Sequence, residues 1–226
     1  MLNSLNSLAS KNNTAILIPF FNEKRTIGEV VKKCFEYSSH VICVDDGSND
    51  GGPDCIKDLN ITLLKNEKNL GKGAALEKGF KYILTKDEIE FVVTIDADLQ
   101  HPPEKIPQFL QKANEFDVVI GNRMHNLKTM PIHRIMSNRI TSFLLSTKLG
   151  TKIPDSQSGF RFYRKKVLPC LMSGEKGFEA ESMHLILAVR NGFSIGAVDI
   201  PVIYGNDSSK MRNFQATIGF IKILFK

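Results

Sequence analysis

Phe91-Val-Val-Thr-Ile-Asp-Ala-Asp-Leu-Gln100 begins as an apolar and β-branched run and ends in three oxygen-bearing side chains at alternate positions. The first half has the composition of a buried strand. The second half sets Asp96, Asp98 and Gln100 at that strand's carboxyl end. The same grammar recurs on either side. Ala15–Pro19 reads as a strand that runs into Phe20-Phe-Asn-Glu23, and Val41–Val44 as one that runs into Asp45-Asp-Gly-Ser48. Ile61–Leu64 is a further strand, and Val118–Ile120 ends in Gly121-Asn-Arg123. Amphipathic stretches over 23–37, 50–59, 72–84 and 102–116 separate them. In the first of these, Ile27, Val30, Val31 and Cys34 share one helical face. Pro102 and Pro103 suit the first turn of the last. Continuous apolar strands between helices predict an α/β fold, with a mainly parallel, Rossmann-like central sheet flanked by helices on both faces. After Gly121 the rhythm changes: helices are expected over 133–149 and 178–191, and strands over 159–163 and 195–202. Pro201 puts the end of the last strand near a sheet edge.

In an open α/β sheet, ligands bind beyond the carboxyl ends of the strands. Taken singly, several of the polar segments there have local explanations. Asn22 or Glu23 could start a helix, and Asp45–Ser48 could be an ordinary turn. Asp96-x-Asp98 is different, because two carboxylates at a buried strand end repel unless a cation or hydrogen-bond donors lie between them. With Gln100 they form an all-oxygen set suited to Mg²⁺ or Mn²⁺. Asn69-Leu-Gly-Lys-Gly-Ala-Ala75 lacks the third glycine of a dinucleotide fingerprint. Its Gly71 and Gly73 fit close backbone approach at a helix start, and Lys72 is either a phosphate counter-charge or a solvated lysine.

The chain has 226 residues and a formal net charge of +6, divided unevenly. Residues 1–120 carry 14 basic and 18 acidic side chains, a net −4, whereas residues 121–226 carry 16 and 6, a net +10. An acidic front suits a cation and a basic back an anionic partner. Nucleic acid is not expected, because the basic residues are not interleaved with aromatics on a recognisable module. Cysteines 34, 43, 55 and 170 form no C-x-x-C pair, so a reducing cytoplasm is the expected compartment. No apolar run approaches the roughly 20 residues of a spanning helix, and the N-terminus is not a signal peptide. Residues 1–13 are expected to be a flexible N-terminus and 14–212 a single domain of two halves, 14–121 and 122–212. Residues 213–226 place Phe214, Ile218, Ile221 and Phe225 at helical spacing. They are either a core-packed helix or one that lies on a membrane surface or docks a partner.

These segments together resemble glycosyltransferase family 2 in its GT-A fold, closest to the dolichyl- and polyprenyl-phosphate sugar synthases. Pro19–Glu23 is similar to that family's P-x-x-N-E opening, Asp45–Ser48 to its D-D-G-S segment and Asn69–Ala75 to its N-x-G-x-G segment. Asp96–Glu104 matches its metal segment almost letter for letter. The resemblance implies a nucleoside pocket lined by Pro19, Asn22, Glu23, Asp45 and Asp46, with Lys72 nearby. It implies that Asp96 faces the ribose or the metal, and that Asp98 and Gln100 ligate a metal bridging the diphosphate of a UDP- or GDP-sugar. Arg123 then faces the acceptor phosphate. His133-Arg-Ile-Met-Ser137 stands where the family has a basic-x-x-x-Ser pattern, so His133, Arg134 or Arg139, beside Ser137, holds that phosphate. Asp155-Ser-Gln-Ser-Gly-Phe-Arg161 resembles the motif beside the acceptor, with Arg161 aimed at phosphate. Glu179 and Glu181 stand where the family has acceptor-side carboxylates, though helix-dipole pairing also explains them. Ser208–Arg212 resembles a segment closing over the diphosphate, with Lys210 favoured over Arg212.

The implied activity is inverting transfer of a sugar to a polyprenyl or dolichyl phosphate, in cell-envelope glycan biosynthesis. Such an acceptor is already anionic and needs no general base. A glycan hydroxyl acceptor would need one, and Asp155 is then the candidate. A catalytically silent nucleotide-sugar-binding subunit is the alternative from another class. A cytoplasmic protein peripheral on the cytoplasmic face of a membrane is expected.

Overall fold

The computed structural model describes residues 8–125, 127, 130–201 and 203. Lys210, Arg212 and the segment 213–226 lie outside the described residues. Strand β1 (Thr14–Phe20) is buried along its whole length, and its side chains alternate between two cores. Ala15 and Leu17 enter one apolar cluster, Ile16, Ile18 and Phe20 the other. That period of two is why an uninterrupted apolar run is needed here.

Helix α1 (Ile27–Cys34) follows, then β2 (His40–Asp45), β3 (Thr62–Lys65), helix α2 (Lys72–Leu84) and β4 (Phe91–Thr94). Helix α3 (Ile106–Gln111), β5 (Val118–Asn122), helix α4 (Ile132–Leu149), β6 (Arg161–Arg164), helix α5 (Glu179–Arg190) and β7 (Ile195–Asp199) complete the described elements. The seven strands form one sheet in the order β3-β2-β1-β4-β6-β5-β7. β1 pairs in parallel with β2 and β4, β2 with β3, and β5 with β7, while β6 runs antiparallel between β4 and β5. The sheet is therefore mostly parallel but mixed. β7 is an edge strand and stops before Pro201, as the proline required.

Helix boundaries are where expectation and structure part. The helix expected over 50–59 is only a 3₁₀ turn at Pro53–Cys55. Asp50 accepts from the amides of Gly52 and of Lys24, both at 2.8 Å, and Gly51 takes φ +82°, so the chain is pinned as a loop. The helix expected over 102–116 is broken into 3₁₀ turns on either side of the short α3. Pro107 has no N–H to donate to Pro103 and cannot continue a first turn into an α-helix. The helix expected over 23–37 shortens to α1 between hydrogen-bonded turns. Among the described residues, no helix is long and apolar enough to cross a membrane.

Candidate active site

The carboxyl edge of the sheet is stitched together by side chains from three strand ends. Asn22, after β1, sits at φ +56°, a left-handed conformation that asparagine tolerates better than most residues. Its Oδ1 accepts from the Asn49 amide at 2.9 Å, and its own amide donates to Ser48 Oγ at 3.0 Å. Asp45 accepts from the Ser48 amide at 2.8 Å. Asp46 accepts from Asn66 Nδ2 at 2.8 Å and from the amides of Leu70 and Gly71 at 3.0 and 2.7 Å. Asn22 and Asp45 thus shape the rim, and Asp46 holds the 66–71 loop while lining the cavity beside it.

That cavity, of about 440 Å³, is bounded by Pro19, Phe20, Phe21, Glu23, Asp46, Asn69, Gly71, Lys72, Ala75, Asp96, Ala97, Asp98, Gly177 and Phe178. Its volume lies within the range of small-molecule sites, about 300–1,000 Å³. Of the predicted donor-side residues, Pro19, Glu23, Asp46, Lys72, Asp96 and Asp98 line it. Sequence reasoning missed Phe178, which is 44% exposed and 5.9 Å from the Lys72 ammonium at its ring centroid. Gly71 and Gly73 do serve close approach, but of protein backbone. A Cβ at Gly71 would meet the Lys176 carbonyl, one at Gly73 the Glu175 carbonyl, and the Gly73 amide donates to Lys176 O at 2.8 Å. The chain entering α5 is thereby clamped over the start of α2 and forms one wall of the cavity.

Lys72 reaches from the start of α2 to Asp96 Oδ1 at 2.5 Å and to Glu181 Oε1, on α5, at 2.9 Å. Burial alone would depress this ammonium, yet the two carboxylates raise it above the ordinary lysine value. Burial likewise opposes ionisation of Asp96, but Lys72, and then Arg123, hold its carboxyl below the usual range. Asp98 is the opposite case: burial and then Asp96 push it up. Gly159, before β6, completes this cluster, because a Cβ there would lie 2.5 Å from both Asp96 Oδ2 and Lys72 Nζ. Glu181 is the second residue that sequence reasoning left out of this cluster. Its helix-start position carried a signal, but nothing in the pattern indicated that it points inward.

Asp98 and Gln100 sit on a tight turn in which Leu99 takes φ +60° and the Gln100 amide donates to Asp98 Oδ1 at 3.0 Å. Among the described residues no three His, Cys, Asp or Glu side chains converge as a metal cage. A set of two carboxylates and one amide is what a hard cation needs when substrate phosphates and waters supply its other oxygens. The raised Asp98 carboxyl fits this reading, since a cation beside it would relieve the repulsion from Asp96. The residues present therefore fit Mg²⁺ or Mn²⁺. His101, next in the chain, is 3% exposed, with Nδ1 unpartnered and the ring tilted against Phe160. Burial holds its imidazole down to about 4, so it is neutral.

The acceptor-side residues divide. Arg123 donates from Nε and an Nη to the two oxygens of Asp155 at 2.6 and 2.8 Å. Asp155, fully buried, also accepts from Asn138 Nδ2 at 2.6 Å and from the amides of Arg123 and Gln157. Although burial opposes it, Arg123 holds this carboxyl below the usual range. A carboxylate so enclosed is a poor proton acceptor, which corrects its expected role as a general base. Arg161 is a second correction. It is fully buried, and donates to the backbone carbonyls of Ser158, Glu181 and Ser156 at 2.7, 2.5 and 2.8 Å. It clamps β6 to α5 and does not face a phosphate. On α4, His133 and Arg139 are exposed and Arg134 and Ser137 half-buried, with Ser137 Oγ accepting from Gln157 Nε2 at 3.4 Å.

Comparison with known proteins places this geometry. Residues 15–172 match the model of Glycosyl transferase family 2. An uncharacterized protein of Methanocaldococcus jannaschii is 33% identical over 228 residues, covering 96% of this chain and 91% of that protein. The UDP-N-acetylglucosamine--dolichyl-phosphate N-acetylglucosaminyltransferase of Methanococcus voltae is 32% identical over 238 residues, covering 93% of each. Among solved structures, glucosyl-3-phosphoglycerate synthase from Mycobacterium tuberculosis, in complex with Mn²⁺, UDP and glucosyl-3-phosphoglycerate, superposes with a TM-score of 0.76 at 18% identity, over 95% of this chain and 79% of that one. The same synthase with Mg²⁺ and UDP gives 0.72 at 18% identity, over 95% and 78%. At that identity the likeness speaks for the fold, which is GT-A. The chain belongs to glycosyl transferase family 2 and is a glycosyltransferase.

Proposed function

We propose that this protein transfers a sugar, with inversion, from a UDP- or GDP-sugar to a polyprenyl or dolichyl phosphate at the cytoplasmic face of a membrane, with Mg²⁺ or Mn²⁺ as cofactor. One observation carries the reading. The Asp96–Asp98 turn opens into the same cavity as Pro19, Glu23, Asp46 and Lys72, which supports a nucleotide and a cation bound side by side there. The M. voltae relative, whose name specifies UDP-N-acetylglucosamine and dolichyl phosphate, supports the uridine donor and the lipid phosphate.

The residues divide the work. Pro19, Asn22, Glu23, Asp45 and Asp46 shape the nucleoside end, and Asp96, Asp98 and Gln100 would hold the cation. When bound, that cation supplies charge neutralisation for the departing diphosphate. Lys72, and Lys210 outside the described residues, stand as further counter-charges. An acceptor phosphate oxygen attacks the anomeric carbon in line as the carbon–oxygen bond to the nucleotide diphosphate breaks, and that electron pair leaves with the diphosphate. Arg123, locked in orientation by Asp155, receives the acceptor phosphate together with His133, Arg134, Ser137 and Arg139 of α4. The enclosed state of Asp155 favours this acceptor over a sugar hydroxyl, since a phosphate needs no base. The division into a donor half and an acceptor half follows the charge division between them.

A nucleotide-release assay across UDP- and GDP-sugars, with and without Mn²⁺ and a short polyprenyl phosphate, tests the proposal. Release is expected only with all three components present. Asp98→Ala should lower turnover about 10³-fold, the scale of losing a principal stabiliser of transition-state charge. Its melting temperature should hold, because the carboxyl removed is itself destabilised by Asp96. Near-normal Mn²⁺-dependent turnover in that variant would overturn the site.

A further inference from the structure

Helix α4 is inside out. On most surface helices the apolar stripe faces the core and the polar face meets water. Here the inward side consists of Asn138, Thr141, Ser142 and Leu145. The first three are tied into the 155–156 turn: Asn138 donates to Asp155, the Ser156 amide donates to Ser142 Oγ at 2.9 Å, and Thr141 and Ser156 share a hydroxyl bond at 3.1 Å. The outward side carries Ile132, Met136, Ile140, Phe143 and Leu144, exposed by 76, 59, 55, 70 and 40%. These are five of the nine large hydrophobics exposed among the described residues, and they lie on one face, at i, i+4, i+8, i+11 and i+12. A contiguous apolar stripe of this kind marks an interaction surface.

What covers it is indicated by charge. From Ile132 to Leu149 the helix has no acidic residue, and Arg139 and Lys148 flank the stripe, both exposed. A second copy docked through the same stripe would set these cations against each other. An anionic bilayer surface neutralises them and takes the apolar side chains among its acyl chains, which is how in-plane amphipathic helices bind. We propose that the outward face of α4 is a membrane-docking face that seats in the headgroup layer of an anionic membrane. The docking itself follows from the exposed face; its coupling to catalysis rests on the lipid-phosphate acceptor proposed above. The inward side of the same helix meets Asp155 and, through it, Arg123, so docking would present the proposed phosphate-binding residues at the depth of a lipid headgroup.

Co-sedimentation of the full chain with phosphatidylcholine vesicles, with and without phosphatidylglycerol, tests this. The wild type should sediment with the anionic vesicles. An Ile140→Asp/Phe143→Asp variant should bind at least about tenfold more weakly. It should retain turnover with a water-soluble, short-chain isoprenyl phosphate and lose turnover with a bilayer-embedded one. Lys148→Glu, a milder change, should weaken binding only where phosphatidylglycerol is present. A wild type that stays in the supernatant, a double variant that sediments normally, or loss of binding in Phe214→Asp/Ile218→Asp alone would each overturn the docking face. So would a wild-type dimer in solution that the double variant dissociates. If vesicle binding behaves as expected and no polyprenyl phosphate is turned over, the acceptor assignment fails and the docking face stands.

Discussion

Two buried ionic clusters lie on the same edge of the sheet, and they are balanced differently. Around Lys72, three carboxylates, Asp96, Asp98 and Glu181, share one ammonium beside an open cavity. Around Asp155, one carboxylate meets one guanidinium, and Asn138 and two backbone amides take up its remaining acceptor capacity. The first cluster is short of positive charge and has room for more. The second is neutral and closed. Burial is costly for both, so the imbalance must be offset by something that arrives, whereas the balance serves as architecture. Charge deficit beside a cavity therefore marks a place for an incoming cation, whereas the balanced pair fixes the orientation of its arginine, although both consist of the same residue types.

The sharpest way to break this comparison is to unbalance the closed cluster. Arg123→Ala leaves Asp155 buried with no cation, and breaking such a pair costs about 3–5 kcal/mol. The lower end is expected here, because Asn138 and the amides remain. Urea unfolding at pH 7 should show the loss, in contrast to the unchanged melting temperature expected for Asp98→Ala. The wild-type pair stabilises above the ordinary carboxylate range and loses that contribution as pH falls through the lowered Asp155 value. The variant should therefore lose less stability on acidification below about pH 4. Wild-type stability in Arg123→Ala would mean that the pair is not a brace.

These differences set the limit of what the chain made legible. Asp96, Asp98 and Gln100 could be read because a strand end fixes where alternate side chains project, and only a cation makes sense of the pattern. Arg161 could not: an arginine three residues after a serine in a turn looks the same whether it reaches for a phosphate or for three carbonyls. Glu181 was lost for the same reason, since its partner Lys72 lies on another helix more than a hundred positions away. The parallel sheet was evident from its apolar runs, whereas the antiparallel course of β6 depends on pairings no local pattern encodes. For α4 the helix is legible and its orientation is not, because a stripe's spacing does not say which side the core lies on.

The open cluster can be sharpened more gently. Glu181→Gln keeps shape and hydrogen bonding but removes one negative charge that is not a proposed ligand. A loss of about 1 kcal/mol of Coulombic attraction for a divalent cation is expected. Calorimetric titration with Mn²⁺ in the presence of UDP should register about a fivefold weaker affinity. Lys72 stays paired with Asp96, so stability should change little. Unchanged Mn²⁺ affinity would show that the charge surplus at this edge does not draw the metal.

The smallest expected effect concerns a buried residue on the helix that carries Glu181. His184 on α5 is 2% exposed, with Nδ1 unpartnered and its ring 5.7 Å from that of Phe80. Burial, with Arg161 and Lys72 adding, holds its imidazole down to about 3 from an ordinary 6.5. The folded protein therefore refuses a proton that the unfolded chain accepts. The sign follows: stability is complete above pH 6.5 and declines as pH falls toward 3, by up to about 1.4 kcal/mol per pH unit for each such histidine. His101, held down to about 4, contributes in the same window, whereas Asp155 acts only below about pH 4. Between pH 7 and 5 the decline is thus a histidine signal. His184→Leu, which preserves volume and apolar contact with Phe80, should shrink that decline by about 1–2 kcal/mol while leaving pH 7 stability within about 1 kcal/mol. An unaltered decline would mean that His184 takes up its proton in the folded state, and that the core around Phe80 admits charge.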